Sequence, residues 1–284
     1  LSAAAQSHSF ITYQAITVSE HGWDPAQYLK FGGERLRPAV DLLANVPLAS
    51  PATIHDLGCG TGNVTRLLRA RWPAARIIGV DSSPDMLARA AAEGPAAEWV
   101  QADLGRWSPG EPPDLIFSNA ALHWLPSHEE FFPRLMDWLA RGGVLAVQMP
   151  CNFAAPSHQL IAQVAGQEKW RNRLEALVRP SPVHEPERYV DWLLPMCDSL
   201  SVWQTEYLHL LSGEDPVKEW LKGTWLKPFL DALEPREREP FEAECAARLR
   251  AAYPARADGI TVFRFRRLFI VARKATRAPG VTRR

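Results

Sequence analysis

The sequence predicts an α/β fold: a doubly wound, mostly parallel sheet with an antiparallel edge hairpin and a helical insertion or cap. Three observations lead there. Residues 53–81 read TIHDLGCGTGNVTRLLRARWPAARIIGVD, an apolar run, three glycines and a helix-spaced stripe before a second β-branched run. Short apolar runs then alternate with helix-period stretches as far as Met149, the pattern of successive βα units. Finally, SVWQTEYLHLL (201–211) and ITVFRFRRLFIVAR (260–273) are long β-rich runs separated by helical sequence.

Taken in order, residues 1–22 are rich in Ala, Ser and Thr, do not begin with Met, and are expected to form an N-terminal tail. From Trp23 the chain reads WDPAQYLKFGGERLRPAVDLL. Tyr28, Phe31 and Arg35 fall at helical offsets, so a helix would align two aromatics and a guanidinium on one face. That face is either core with a solvated arginine, or a lid over a ligand cleft. Gly32 and Gly33 would weaken or bend the helix, and Pro38 suits the first turn of the next one, whose Val40, Leu42 and Leu43 can dock on the sheet. Thr53 to Leu57 is then a strand, Gly58, Gly60 and Gly62 a loop, and Val64, Leu67 and Leu68 the buried stripe of a helix. Ile77 to Val80 is the next strand, and Asp81 stands at its tip.

The loop discriminates between cofactor classes. Glycines let backbone amides approach a ligand, and a dinucleotide fingerprint wants them at positions one, three and six. Here the sixth position is Asn63. Asp56 precedes the loop at the strand's carboxyl end, where an acid opposes a pyrophosphate but suits a cation. S-adenosylmethionine, with its sulfonium and ammonium, fits that demand. Asp81, about 20 residues beyond the loop, is placed to accept both ribose hydroxyls.

Beyond Asp81, Ser82 or Ser83 is expected to cap a helix with Pro84 in its first turn, Met86 and Leu87 opening its buried stripe and Gly94 as its stop. Glu98 to Gln101 is a third strand ending at Ala102-Asp103-Leu104, so Asp103 falls at the same sheet end as Asp56 and Asp81. Asp114 to Ser118 is a fourth strand, followed by NAALHW (119–124), where Asn119, His123 and Trp124 would border the reacting group or the adenine. Ser127 would cap a helix to Leu139 with Phe131, Leu135 and Trp138 inward. Gly142 and Gly143 lead into the all-apolar strand VLAVQM. Helices are expected at 156–166, 168–178, 185–194, 214–222 and 235–252. Residues 23–152 would thus form the cofactor-binding core with a lid helix. Residues 153–274 would form the cap and edge strands, and 275–284 a disordered basic tail.

Composition narrows the partners. Lys plus Arg and Asp plus Glu number 32 each, so no global field draws nucleic acid. Cys59, Cys151, Cys197 and Cys245 are far apart, without metal or redox spacing, and are expected to be free thiols in a reducing compartment. No apolar run reaches the roughly 20 residues of a membrane span, and the histidines include no HExxH. A cytoplasmic protein without a metal is expected, with a small-molecule partner and neither nucleic acid nor membrane.

The segments WDPAQYLKFGGERLRP, HDLGCGTGN, GVDSSPDML, SNAALHWLP, GGVLAVQMP, EWLKGTWLKPFL, AAYPARADG and RRLFIVAR together resemble the bacterial trans-aconitate 2-methyltransferase family, from about Trp23 to Lys274. The glycine loop is common to class I S-adenosylmethionine-dependent methyltransferases, whereas the opening, EWLKGT and AAYP segments are far more selective. The resemblance implies a Rossmann-like fold that methylates a carboxylate of trans-aconitate, or of a closely related small polycarboxylate, to a monomethyl ester. Placed on these motifs, the cofactor would meet Asp56, Gly58, Gly60, Asn63, Asp81, Ser82, Met86, Asp103, Leu104, Asn119, Ala120 and Trp124. The acceptor would meet Tyr28, Phe31, Arg35, His123, Trp220, Lys222 and Lys227. The chain departs from the family's common residues at Thr61 (Pro), Cys151 (Asp), Gly32-Gly33 (an acidic pair) and His123 (often Gln). Cys151 and His123 would border the acceptor.

Carboxyl methylation is a displacement whose acceptor, with a pKa near 4, is already ionised at neutral pH, so no catalytic base is expected. Cations for the spectator carboxylates are needed, and arginine suits them best. Arg35 is the first candidate, Lys222 and Lys227 follow, and Arg264 and Arg266 share one face of the last strand, opposite Phe263 and Phe265. Trp124, Trp220 and Trp225 would wall the pocket. The alternatives are an O- or N-methyltransferase of another small metabolite, and a non-catalytic cofactor-binding protein.

Overall fold

The computed structural model describes residues 25–178 and 180–276; for residues 25–32, 34 and 35 it describes the backbone alone. The expected tail at 1–22 and residues 277–284 lie outside this range. So do the side chains of Tyr28, Phe31 and Arg35.

Among the described residues, seven strands form one sheet in the order β3-β2-β1-β4-β5-β7-β6. They are β1 (Thr53–Leu57), β2 (Arg76–Asp81), β3 (Glu98–Gln101), β4 (Leu115–Asn119), β5 (Val144–Pro150), β6 (Cys197–Leu211) and β7 (Thr261–Lys274). The first five are parallel, and β7 runs antiparallel to both β5 and β6. The expected doubly wound sheet and its late antiparallel hairpin are both present. The order reverses between β1 and β4, so ligands are directed to the crevice at the carboxyl ends of those strands.

Each face of the sheet carries its own core. On one side α1 (Pro25–Ala44) and α2 (Asn63–Arg71) place Val40, Leu43, Leu67 and Leu68 against Ile54, Phe117 and Phe269. On the other, α4 (His128–Trp138) and α7 (Pro186–Leu193) place Phe132, Leu135, Tyr189 and Leu193 against Ile116, Leu145 and Ile270. Helix α3 (Pro84–Glu93) lies between β2 and β3 in the chain. Its cap is Ser83, whose hydroxyl accepts from the Met86 amide, and Pro84 sits in the first turn as expected.

A third core belongs to the cap. Helices α5 (Pro156–Ala165) and α6 (Glu168–Leu174) precede α7, and α8 (Pro216–Lys222), α9 (Lys227–Ala232) and α10 (Pro235–Ala252) lie between β6 and β7. Ile161, Trp170, Leu221, Phe229, Phe241 and Leu249 pack there on Phe263 and Phe265. Strand β7 therefore serves all three cores, with Phe263 and Phe265 in the cap, Phe269 and Val271 on one face of the sheet, and Leu268 and Ile270 on the other.

The kink of α1 at Gly33, φ 60 and ψ 177, meets the expectation that the glycine pair bends that helix. Several other expectations are corrected. Met86 does not join a buried stripe; it is 42 % exposed, and Leu87 and Ala90 are the buried residues of α3. Ser127 precedes α4 but is left-handed at φ 55 and makes no side-chain cap bond. Helix α6 ends at Leu174 and continues as a single tight turn, Glu175–Leu177. Strand β6 starts at Cys197, four residues early, and α9 was not expected, being only 6 residues long. Ala275 and Thr276, expected in the tail, are tied down by Met196 O and the Asp198 carboxylate.

Candidate active site

The carboxyl end of β1 turns sharply through Gly58, at φ 72, where an added Cβ would lie 2.1 Å from the Ala121 Cβ. The loop amides point inward. Gly58 N and Cys59 N donate to Val80 O at 2.8 and 3.1 Å, Gly60 N to Asp81 Oδ2 at 2.9 Å, and Gly62 N to Cys59 O at 3.0 Å. A loop with three of its amides given to β2 and a fourth to its own Cys59 carbonyl differs from the pyrophosphate-binding turn of dinucleotide enzymes, whose amides face the ligand. Asp81 accepts a second bond from Ser83 N at 2.9 Å, which leaves lone pairs on each oxygen for hydroxyl donors. Around it lies a cavity of about 350 Å³ walled by Gly58, Gly60, Asp81, Ser82, Met86, Asp103, Leu104, Ala120 and Trp124 among others.

Asp56 lies beneath this wall, 1 % exposed, with the Thr65 hydroxyl donating to it at 2.6 Å. Burial pushes its carboxyl up to about 7, against the pull of the Thr65 bond, and the Asp81 charge pushes the same way. A cation above it would favour the ionised form. Acids without anion-binding amides fit S-adenosylmethionine as a ligand. The Asn119 Oδ1, at the end of β4, is buried and finds no hydrogen-bond partner among the described residues.

A second cavity, of about 570 Å³, shares Ala120 and Trp124 with the first. Ala120 is left-handed at φ 54, an uncommon conformation for a residue with a Cβ, and its amide is held by Gln148 O at 2.9 Å. Trp124 is 52 % exposed between the two cavities. The remaining wall is aromatic: Phe153, Trp220, Trp225 and Phe265, with His123 and His158. Phe153 and His158 pack on Trp225 at 5.4 and 5.0 Å, and His209 stacks on Trp220 at 4.4 Å. Burial pulls His123 down to about 3, with the Arg267 charge next in importance, and burial pulls His158 down to about 4. Both imidazoles are neutral at physiological pH.

The turn carrying His123 and Trp124 (Leu122–Trp124) is fixed from below. His128 Nε2 reaches Leu122 O at 3.0 Å, so that nitrogen carries the proton. Its Nδ1 then accepts from the Tyr189 hydroxyl at 2.6 Å, and that oxygen accepts from the His184 amide at 3.3 Å.

A family model described as a methyltransferase domain matches residues 54–143. Over 261 residues the chain is 50 % identical to a trans-aconitate 2-methyltransferase of Streptomyces avermitilis, covering 89 % of this chain and 97 % of that protein. With the protein of the same name in Streptomyces coelicolor the identity is 51 % over 263 residues, 89 % and 86 % of the two chains. The chain belongs to the trans-aconitate 2-methyltransferase family. Among solved structures, a Haemonchus contortus phosphoethanolamine N-methyltransferase 2, in complex with phosphomonomethylethanolamine and S-adenosylhomocysteine, superposes with a TM-score of 0.51. At 16 % identity over 88 % of this chain and 57 % of that one, it shares the fold.

Against the trans-aconitate 2-methyltransferase motifs, the structure gathers nine of the twelve expected cofactor residues on one cavity wall. Asp56, Asn63 and Asn119 are not on it: Asp56 is buried, Asn63 is in the exposed first turn of α2 beside Arg66, and Asn119 ends β4 with its Oδ1 buried. On the acceptor side His123, Trp220 and Lys227 line the second cavity, whereas Lys222 turns away to Glu242 at 2.9 Å on α10. Lys227 is paired with Asp231 at 2.6 Å. Arg264 is exposed and pairs with Glu206 at 2.5 Å, while the Arg266 backbone is held by Asn152. Of the positions that depart from the trans-aconitate 2-methyltransferase pattern, His123 lines the cavity but Cys151 does not; it packs behind the wall, against the core of α4 and α7. Arg267, 6 % exposed on the cavity wall, was not among the expected cations. Its signal is in the sequence: in FRFRRLF the two-residue period puts Arg267 in phase with Phe263, Phe265 and Phe269.

Proposed function

We propose that this chain transfers a methyl group from S-adenosylmethionine to one carboxylate of trans-aconitate, giving a monomethyl ester. The observation that carries the reading is the pair of cavities joined at Ala120 and Trp124, one with Asp81 and Asp103 on its wall and the other aromatic with a buried guanidinium. Bound in the first, the cofactor supplies an electrophilic methyl group on its sulfonium. Asp81 would hold the ribose hydroxyls, Asp103 and Leu104 the neighbouring wall, and Asp56 adds negative potential from below. The acceptor enters the second cavity, where the aromatic rings exclude water and fix its plane.

No residue is needed to remove a proton, because the acceptor is a carboxylate. Catalysis then rests on alignment across the shared wall, for which well-oriented reactions gain roughly 7–11 kcal/mol. The neutral histidines support this division: they offer dipoles and hydrogen bonds without a competing titration. The balanced charge of the chain supports a small-molecule acceptor over a nucleic acid. The four free thiols support a location in the cytoplasm. The test is incubation with methyl-labelled S-adenosylmethionine and a panel of di- and tricarboxylates. A base-labile methyl ester on trans-aconitate is expected; label recovered in no ester, or only in base-stable product on another metabolite, contradicts the reading.

A further inference from the structure

We propose that Arg267 sets acceptor specificity: its guanidinium, oriented by Gln148, grips a carboxylate of the acceptor that is not being methylated. This rests on the carboxyl-methylation reading above and names the group that recognises the acid.

Among the described residues, the lysines and arginines on the acceptor cavity are Arg267 and Lys227. Lys227 is largely exposed at the rim and faces Asp231, which lines the same cavity, so its charge is locally cancelled. Arg267 is buried on the inner wall, its guanidinium 4.7 Å from the Phe265 ring centroid and 5.9 Å from that of Tyr207. Charge in such a setting is poorly screened and attracts an anion more strongly than a rim lysine can. The planar fork also matches a carboxylate in a way that an ammonium does not.

Gln148 gives the second line of argument. It is fully buried on β5, its Oε1 accepts from Arg267 Nη1 at 3.4 Å, and its backbone carbonyl holds the Ala120 amide at 2.9 Å. One residue therefore fixes both the guanidinium and the left-handed Ala120 on the wall shared with the cofactor cavity. The uncharged amide of Gln148 orients the guanidinium while adding no negative charge of its own, whereas a glutamate there would add one. Burial is the main cause of the depressed His123 titration, and the Arg267 charge acts on that ring in the same direction.

The experiment is steady-state kinetics of the full chain with trans-aconitate and with an unbranched monocarboxylic alkenoic acid. Arg267→Gln should raise KM for trans-aconitate roughly thirtyfold or more, as expected for losing a charge-assisted hydrogen bond, with affinity for S-adenosylhomocysteine changed less than about twofold. Arg267→Lys should recover part of the loss. Gln148→Glu should raise KM about tenfold without lowering Tm, an outcome that a merely structural role for the pair does not produce. The monocarboxylic acid, having no spectator carboxylate, should show no such rise. Unchanged KM in Arg267→Gln, or an equal rise for both acids, overturns the proposal. If wild type forms no ester at all, the functional reading fails instead. Equilibrium binding of trans-aconitate to wild type and Arg267→Gln then decides the guanidinium alone, equal affinities overturning it.

Discussion

The two cavities are built on different principles. The glycine-loop cavity is made by consecutive turns at the ends of β1, β2, β3 and β4, and much of its shape is backbone: Gly58 against Ala121, Gly60 on Asp81, Gly105 on Asp103. The aromatic cavity is made by side chains from four distant stretches, around residues 120–124, 150–158, 220–231 and 265–267, brought together only when the cap folds on β7. The first is specified by conformation, the second by packing. Cofactor binding should therefore be lost through backbone strain, and acceptor choice through single side chains.

The sharpest way to break this comparison is Gly58→Ala. The new Cβ would meet Ala121 at 2.1 Å, from a positive φ, so cofactor affinity should fall more than about a hundredfold, read by calorimetry with S-adenosylhomocysteine. Near-normal affinity would mean that the loop is not conformationally specified. Next in size, Asp81→Ala removes the acceptor of two backbone amides and the group proposed to hold the ribose, and should weaken binding by about 1–3 kcal/mol. An unchanged isotherm would remove Asp81 from the cofactor's partners.

A smaller effect separates charge from shape. With its carboxyl raised to about 7 by burial, Asp56 is largely protonated at pH 5 in the free protein, and a cationic ligand favours the anion. Binding of S-adenosylmethionine should therefore release a proton below pH 7, and affinity should climb several-fold from pH 5 to 7 before levelling. Affinity that falls over that window contradicts the sign. Methyl transfer itself should be flat from pH 7 to 9, since His123 and His158 titrate far below it. The smallest change is on the acceptor side. Tyr189→Phe breaks the bond to His128 beneath the His123–Trp124 turn and should cost about 1 kcal/mol of stability, with a few-fold rise in acceptor KM and little change for cofactor. The reverse split would place that turn on the cofactor side.

The same division explains what could be read from the sequence. Strand β1, its glycines, α2 and Asp81 are local signals, written within 29 residues by periodicity and turn chemistry, and they fall where expected. Asp56 was expected beside the ligand and lies under the loop, because alternation along β1 and the Thr65 hydroxyl draw it inward. The acceptor side was harder to read. Lys222 and Lys227 are near neighbours in sequence, yet one faces Glu242 on α10 and the other the cavity rim, a difference set by how the cap helices pack. Arg264 and Arg266 drew attention as a pair, while the residue that enters the cavity is Arg267, in phase with the phenylalanines. Helix α9 is too short to carry a period of its own and is held by Phe229 and Leu230 in the cap core.

The most direct test of the joined-cavity account is a crystal structure of the protein with S-adenosylhomocysteine and trans-aconitate. The account predicts adenosine against Asp81, the sulfur at the wall formed by Ala120 and Trp124, and one carboxylate of the acid facing it from among Phe153, Trp220 and Trp225. An acid bound outside the aromatic cavity, or a cofactor seated away from the glycine loop, would contradict it.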